Sequence, residues 1–281
     1  MKLSLKTHDY LLEITDEMCS TNQQETGFLT SFRDLDAMTG GLQCGDLIIV
    51  AARPSVGKTA FALNVAAEHC HNAGTTAIYS LEMGTKQLLK RMISREGLID
   101  SQKWRGMTFS SDDYHHALTA IGEMGKWNLK IFDEKRNLME IRSSIRKIVH
   151  ENPKEQIVAI IDYLQLIQPG TRRERRDLEV GEITRELKLL AVELNIPIIL
   201  LSQLSRGVEA RQDKRPLMSD LRESGNIEQD ADVISFLYRE DYYHRNTEQQ
   251  DQMEVIIGKQ RNGPVGTVRM TFMKEYGRFR G

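Results

Sequence analysis

The chain has 281 residues, 40% of them hydrophobic, and a formal net charge of −2. That is enough for one large α/β domain plus an arm, with a composition ordinary for a globular protein. No apolar run approaches a membrane span, and the N-terminus lacks an apolar signal core, so a cytoplasmic protein without a membrane partner is expected. A near-neutral charge gives no global attraction for nucleic acid, so any such site must come from local clusters. Cys19, Cys44 and Cys70 are widely spaced and form neither a metal pattern nor an even disulfide set, which suits a reducing compartment.

Residues 1–26 read as a helix and a linker. Leu5, Leu11, Leu12, Ile14 and Met18 fall roughly on one face of a helix. The polar run from Ser20 to Gly27 then reads as a linker. Such a helix either folds back on its own core or docks on a neighbouring subunit, and the pattern leaves both open.

From Phe28 onward, expected strands (47–52, 76–81, 129–133, 157–163 and 196–202) alternate with expected helices (58–72, 85–97, 111–125, 138–151 and 177–195). Apolar strands with little alternation, separated by helices, predict an α/β fold with a mostly parallel central sheet covered on both faces. After residue 230 the pattern changes to closely spaced strands at 232–238, 253–259 and 265–273, with an Asn262-Gly263-Pro264 turn before the last. These are expected to extend the sheet, partly antiparallel. Residues 27–281 are read as one domain.

The most informative stretch is Ala52-Arg53-Pro54-Ser55-Val56-Gly57-Lys58-Thr59, between an apolar strand and a helix. Strand, turn, Gly-Lys-Thr and helix make up a phosphate-binding loop. Backbone N–H groups over Ser55, Val56, Gly57, Lys58, Thr59 and Ala60 can cradle phosphate oxygens, and the helix dipole favours the anion. Lys58 supplies a point charge to the β/γ-phosphates, and the Thr59 hydroxyl is a Mg²⁺ ligand. Ala52 stands where the pattern usually has glycine, which is acceptable if its φ is negative.

Three later strands end in polar residues. The strand 157–163 carries Asp162 at the sheet's C-terminal edge, where it can reach Mg²⁺ directly or through water. The strand 76–81 is followed by Glu82. If that strand lies beside the loop strand, Glu82 can orient and deprotonate an attacking water; alternatively it is the N-terminal acid of the helix that follows. The strand 196–202 is followed by Gln203, whose amide can sense the γ-phosphate or simply be solvated. Lys259 and Arg261 alternate along an expected strand, so both point to one face, which by the sequence alone reads as an exposed basic edge. Two arginine-rich stretches follow the Asp162 and Gln203 strands. One is Arg172-Arg173-Glu174-Arg175-Arg176; the other runs from Ser205 to Asp230, with Arg206, Arg211, Lys214, Arg215 and Arg222. Each reads as a polar, solvated loop.

Several motifs in order carry a family likeness. They are Ala51 to Thr59, Ser80-Leu81-Glu82-Met83, Ile161-Asp162-Tyr163-Leu164-Gln165-Leu166 and Leu201-Ser202-Gln203-Leu204. Leu221-Arg222-Glu223-Ser224-Gly225, Glu228-Gln229-Asp230-Ala231-Asp232 and Lys259-Gln260-Arg261-Asn262-Gly263 complete the set. Together, from about Thr26 to Arg280, they closely resemble the RecA-like motor domain of DnaB-family replicative DNA helicases. The family's alanine at the first glycine position also accounts for Ala52.

The resemblance implies a homohexameric ring that hydrolyses ATP, with Mg²⁺, at subunit interfaces and moves 5′→3′ along single-stranded DNA. It implies that Lys58 and Thr59 bind phosphate and metal, that Asp162 is the second acidic motif, and that Glu82 is the catalytic glutamate. Gln203 matches a residue linking nucleotide state to the DNA loops, and Arg91 a position near the phosphates. Lys259 and Arg261 match a basic pair acting in trans, and Arg222, Glu223 and Gly225 a DNA-phosphate contact. The family's N-terminal domain, which binds primase, is absent. The chain therefore resembles part of a longer protein whose partners include primase and a helicase loader, and its N-terminal helix matches a linker docked on a neighbouring subunit. A RecA-like recombination or repair ATPase, or a nucleotide-switched assembly module, shares the fold and loop but not the later motifs.

Overall fold

Runs of apolar residues without alternation can pair only where both faces of a sheet are covered, and the computed structural model of the chain places them so. It describes residues 27–170, 175–221, 224–244 and 246–281, together with Thr7, Leu11, Leu12 and Thr15. These last four are helical; the rest of the expected arm and linker lies outside the described residues. Strands β1 (Gly27–Phe28) and β2 (Leu42–Gln43) form a small antiparallel pair enclosing α1 (Arg33–Thr39).

The main sheet begins at β3 (Leu47–Ala52) and continues in chain order with β4 (Thr75–Ser80), β5 (Asn128–Phe132), β6 (Ile157–Asp162), β7 (Ile198–Gln203) and β8 (Val233–Tyr238). In space these six lie parallel in the order β8-β3-β7-β6-β4-β5. Beyond β8, β9 (Gln252–Gln260), β10 (Gly266–Met273) and β11 (Arg278–Arg280) add an antiparallel wing. The strands after residue 230 thus extend the sheet as the spacing predicts, with β8 itself still parallel.

The two-residue period of a strand sends alternate side chains to opposite faces. Ile48, Val50, Val158, Ile160, Ile199 and Leu201 join one buried cluster, with α2 (Lys58–His71) and the antiparallel wing. Leu47, Ile49, Ile157, Ile161, Ile198 and Leu200 join the other. It includes buried residues of α6 (Leu138–Glu151) and α7 (Arg176–Leu194). Each fully buried aliphatic side chain contributes about 1.5–3 kcal/mol, so this double burial fixes the strand order and hence the edge at which the loops gather.

The remaining helices are α3 (Thr85–Gly97), α4 (Lys103–Gly106), α5 (Ser111–Met124), α8 (Ser224–Asp230) and α9 (Glu240–Tyr243). The stretch from Ser205 to Asp230, expected to be one polar loop, contains two 3₁₀ turns (Arg206–Ala210 and Met218–Asp220) and α8. Its order comes from ion pairs that local pattern does not reveal: Arg211 with Asp220, and Arg215 with Glu254 on β9.

Candidate active site

β3 delivers the loop 52–59 to the C-terminal edge of the sheet. Ala52 closes the strand and is not among the residues with positive φ, so glycine is not needed there. Gly57 is different: its φ is 128°, and a Cβ would meet Met253 Cε at 3.2 Å and Phe272 Cε1 at 3.3 Å. Backbone conformation and the packed wing both require glycine at this position. Gly57 is also the N-cap of α2 and offers no capping side chain, so the first-turn N–H groups face the cavity rather than a local partner.

The cavity above the loop has a volume of about 600 Å³. Ser55, Gly57, Lys58, Thr59, Ala60, Glu82, Arg91 and Gln203, eight of the expected site residues, all line it. Val56 does not; its side chain is buried in the core and its carbonyl takes part instead, as an acceptor for Arg239 Nη1 at 3.2 Å. Asp162 is buried behind the lining and reached through Thr59, whose Oγ1 donates to Asp162 Oδ2 at 2.7 Å. The other carboxylate oxygen, Oδ1, is buried without a hydrogen-bond partner among the described residues. A buried anionic oxygen left unpaired is costly, and a hydroxyl beside it completes an all-oxygen donor set of the kind that suits Mg²⁺.

Lys58 sits with its ammonium 4.4 Å from the centre of the Tyr163 ring. Burial pushes its pKa down, while Asp162 and Glu82 oppose the shift. An anion entering the cavity meets a cation that is poorly solvated and therefore strongly attractive.

Glu82 reaches the cavity by a route other than the one the spacing suggests. β4 is not beside β3; β7 and β6 lie between them. The turn after β4 nevertheless carries Glu82 to the cavity wall. The alternative role, helix N-terminal acid, is filled by another residue: Asp133 Oδ2 accepts from Thr85 N at 2.7 Å and from Thr85 Oγ1 at 2.9 Å. That leaves Glu82 on the cavity wall. Gln203, in register with Ala52, is held by Gln165: Gln203 N donates to Gln165 Oε1 at 3.1 Å, and Gln165 Nε2 donates to Ser202 Oγ at 3.1 Å.

Several lining residues carry no local sequence signal. Arg239, at the end of β8, donates to Val56 O, pairs with Asp241 at 3.0 Å and lies over the Phe272 ring. Lys274 and Tyr276 come from the β10–β11 turn. Asn64 on α2 ties that hairpin down, donating to Gly277 O at 2.8 Å and accepting from Phe279 N at 3.0 Å. Only the pairing of the antiparallel wing brings these residues together; the apolar strand at 265–273 was the one trace of them in the sequence.

Lys259 and Arg261 lie elsewhere. Lys259 pairs with Ile234 and Gln260 with Val233, and Val233 in turn pairs with Ile48 near the start of β3. At about 3.3 Å per residue along a parallel strand, the pair is separated from the loop at the end of β3 by most of the height of the sheet. β9 ends at Gln260, so Arg261 follows the strand rather than alternating within it. The two heads still converge. Lys259 Nζ donates to Ala231 O at 2.6 Å and to Glu228 O, and Arg261 Nη2 donates to Gln229 O at 2.6 Å. These are carbonyls at the C-terminal end of α8, where cations are favoured.

Of the expected DNA contacts, Arg222 and Glu223 lie outside the described residues, as do Arg172, Arg173 and Glu174. Gly225 is exposed in the first turn of α8, and a Cβ there would meet nothing within 4 Å. Arg175 and Arg176 pair with Asp177 and Glu179, and Lys214 lies over the Tyr243 ring. With Arg211 and Arg215 also paired, Arg206 is the exposed arginine of the second stretch to which no ion pair is assigned among the described residues.

Near the basic pair, Asp46 is pushed up to about 6, first by burial and then by Asp232, with Lys188 and Arg261 opposing. An acid whose folded pKa exceeds its unfolded value near 3.8 binds more protons when folded, so stability should fall as pH rises from about 4 to about 6. Asp46→Asn is expected to remove this slope and to stabilise the protein at pH 8 by on the order of 1 kcal/mol, allowing for solvent screening. Urea unfolding at pH 4.5 and pH 8 measures it; the same pH dependence in both proteins would exclude Asp46 as its source.

An α/β sheet with a phosphate loop at its C-terminal edge, an acid at the end of β6 two strands away and a second acid on the cavity wall defines a RecA-like phosphate-loop domain. The family model of the DnaB-like helicase C terminal domain matches residues 27–281, and the chain belongs to that family. It is 52% identical to the replicative DNA helicase DnaC of Bacillus subtilis (strain 168) over 257 residues, 90% of this chain and 56% of that protein. Among solved structures, the ATPase domain of G40P superposes with a TM-score of 0.94 at 44% identity, covering 99% of each chain. A DnaB-like replicative helicase, solved in a study of its interactions with primase, gives a TM-score of 0.93 at 45% identity, covering 98% of this chain and 68% of that one. The chain spans a little over half the length of the curated relatives it matches.

Proposed function

We propose that the chain is the motor domain of a replicative DNA helicase. In this reading it hydrolyses ATP at the subunit interfaces of a homohexameric ring and moves 5′→3′ on single-stranded DNA, displacing the other strand. The observation that carries the reading is a separation. Lys58, Thr59, Glu82 and Arg91 line one cavity, while Lys259 and Arg261 stand at the far end of the same sheet. One subunit therefore presents half of a site at each end, and stacking subunits in a ring completes it.

The loop N–H groups and Lys58 hold the β- and γ-phosphates, and Arg91 lies beside them. Thr59 Oγ1 and the Asp162 carboxylate would hold Mg²⁺, directly or through water. When bound, Mg²⁺ neutralises charge on the phosphate oxygens. Glu82 orients the attacking water and takes its proton as the bond from the γ-phosphorus to the ADP oxygen breaks. Lys259 and Arg261 of the next subunit stabilise the charge that develops. Gln203, braced by Gln165, relays the state of the γ-phosphate to the stretch that follows it, and Arg222, Glu223 and Gly225 contact the DNA backbone. Contacts to phosphate rather than to bases imply little sequence preference. Within residues 1–26 the segment from Leu5 to Met18 is read as a linker helix docking on the next subunit and the polar run after it as a linker, and primase and a loader as partners of the longer protein.

The direct test is mass in solution with and without ATP and single-stranded DNA, with turnover measured in the same samples. Turnover is expected to rise with assembly; a strict monomer hydrolysing ATP at the full rate would overturn the composite site. Displacement of a forked duplex without pairing of homologous strands separates this reading from a recombination ATPase. No turnover at any DNA concentration would favour a nucleotide switch. Arg222→Ala is expected to weaken single-strand binding and to flatten the log–log salt slope by about 0.7. An unchanged slope would take Arg222 out of the DNA path.

A further inference from the structure

The basic pair does not hang free at the sheet edge; it is built into a bracket. Asp232, 4% exposed, lies two residues past the end of α8. Its Oδ2 accepts from Leu47 N at 2.8 Å and from Lys188 Nζ at 2.6 Å. Lys188, on α7, is itself fixed by donating to Gly45 O at 2.8 Å. These partners lock the carboxylate from one side and leave Oδ1 toward Arg261, whose Nε lies 3.5 Å away. The main chain repeats the link, with Arg261 N donating to Asp232 O at 3.0 Å. Arg261 Nη2 takes Gln229 O, so the guanidinium is gripped at two points while its side chain stays 45% exposed.

An arginine that acts across an interface must be presented in one orientation, because misplacement by about 1 Å can cost on the order of a hundredfold in rate. A planar guanidinium held at Nε by an acid and at one Nη by a carbonyl retains a further Nη for an incoming group. The first N–H of β3 would be satisfied by any oxygen acceptor, and Lys188 has a second acid, Asp46, within 3.9 Å, so the carboxylate at Asp232 is distinguished by the side it turns to Arg261.

We propose that Asp232, fixed by Lys188 and Leu47 N, is a positioning residue that sets the orientation in which Arg261 is presented to the neighbouring subunit's site. This rests on the trans role of Arg261, and the test separates the two.

Asp232→Asn keeps an oxygen for Leu47 N but loses the charge that holds Arg261. The assembled protein with ATP and single-stranded DNA is expected to lose turnover by about a hundredfold, with KM for ATP and assembly mass unchanged. Mixing supplies the readout that a general structural defect would not move. Asp232→Asn subunits mixed with Glu82→Gln subunits should regain turnover, since some interfaces then pair an intact Glu82 with an intact bracket. Mixed with Arg261→Ala subunits they should regain none, because every interface lacks one part of the same half-site. Unchanged turnover in Asp232→Asn, or recovery with Arg261→Ala, overturns the assignment. The reference mixture of Arg261→Ala with Glu82→Gln reads the underlying premise: no recovery there means that the trans role itself fails. Where Asp232→Asn does not assemble, Lys188→Met, which releases the carboxylate from the other side, is read in the same mixtures and must give the same pattern.

Discussion

Arg261→Ala should lower ATP turnover by on the order of 10³–10⁵ while leaving nucleotide binding nearly intact. That range corresponds to roughly 4–7 kcal/mol of transition-state stabilisation, far more than an exposed ion pair contributes to folding. The asymmetry between binding and turnover follows from position. The loop, Lys58 and Thr59 lie in one subunit's cavity, and Arg261 is at the other end of that subunit's sheet. Its removal leaves the phosphate cradle of its own subunit untouched. A modest local effect is also expected, since Arg261 pairs with Asp232 and donates to Gln229 O. Thermal unfolding of the variant bounds that effect, and a large fall in stability would make the turnover result uninformative about chemistry.

The decisive measurement is a mixture. Arg261→Ala subunits retain Glu82, and Glu82→Ala subunits retain Arg261, so an interface formed between them in one sense is complete. Turnover should return over a range of mixing ratios and reach a maximum at intermediate ones. A flat response across all ratios would remove Arg261 from the neighbour's site and return it to the role of a C-terminal cap for α8.

What could be read from the chain in advance divides along physical lines. Strands β3, β6 and β7 and helices α3 and α6 are visible because their signals are local: apolar runs for strands covered on both faces, and a 3.6-residue period for the helices. The same holds for the phosphate loop, where Gly57, Lys58 and Thr59 act through the backbone of one turn. Glu82 is visible as an acid after a strand, but the path that brings it to the cavity is not. β4 is not adjacent to β3, and the strand order depends on crossover connections that no local window contains. Its competing role was resolved by Asp133, which lies 48 residues from Thr85 in the chain.

Long-range pairs were the least legible. Arg211, Lys214 and Arg215 read as a basic loop because their partners, Asp220, Tyr243 and Glu254, are identified by folding rather than by spacing. The cavity wall formed by Arg239, Phe272, Lys274 and Tyr276 was missed for the same reason. It depends on antiparallel registers among β8, β9, β10 and β11, and on Asn64 reaching from α2 to the terminal hairpin. The bracket around Arg261 joins α7, the start of β3, α8 and the end of β9. Four distant segments meet there, and no local window contains more than one of them.

Glu82→Gln should bind ATP and assemble as the parent does, yet turn over more slowly by about 10²–10⁴, the usual weight of general base catalysis. Glutamine keeps the size and can still accept a hydrogen bond from water, but it cannot take the proton. The helix it precedes should be undisturbed, because Asp133 rather than Glu82 satisfies Thr85 N and Thr85 Oγ1. That makes the substitution cleaner than Lys58→Ala, which would remove the cation that meets the phosphates and at the same time leave Asp162 and Glu82 without the positive charge they act on. With hydrolysis slowed and binding retained, nucleotide should accumulate in the assembled protein, and single-turnover measurements should show the loss in the chemical step rather than in ATP association. A variant that hydrolyses at the parental rate would leave Glu82 a bystander on the cavity wall. In that case the attacking water would have to be oriented by another residue that lines the cavity, Gln203 first among them, since its amide can both donate and accept.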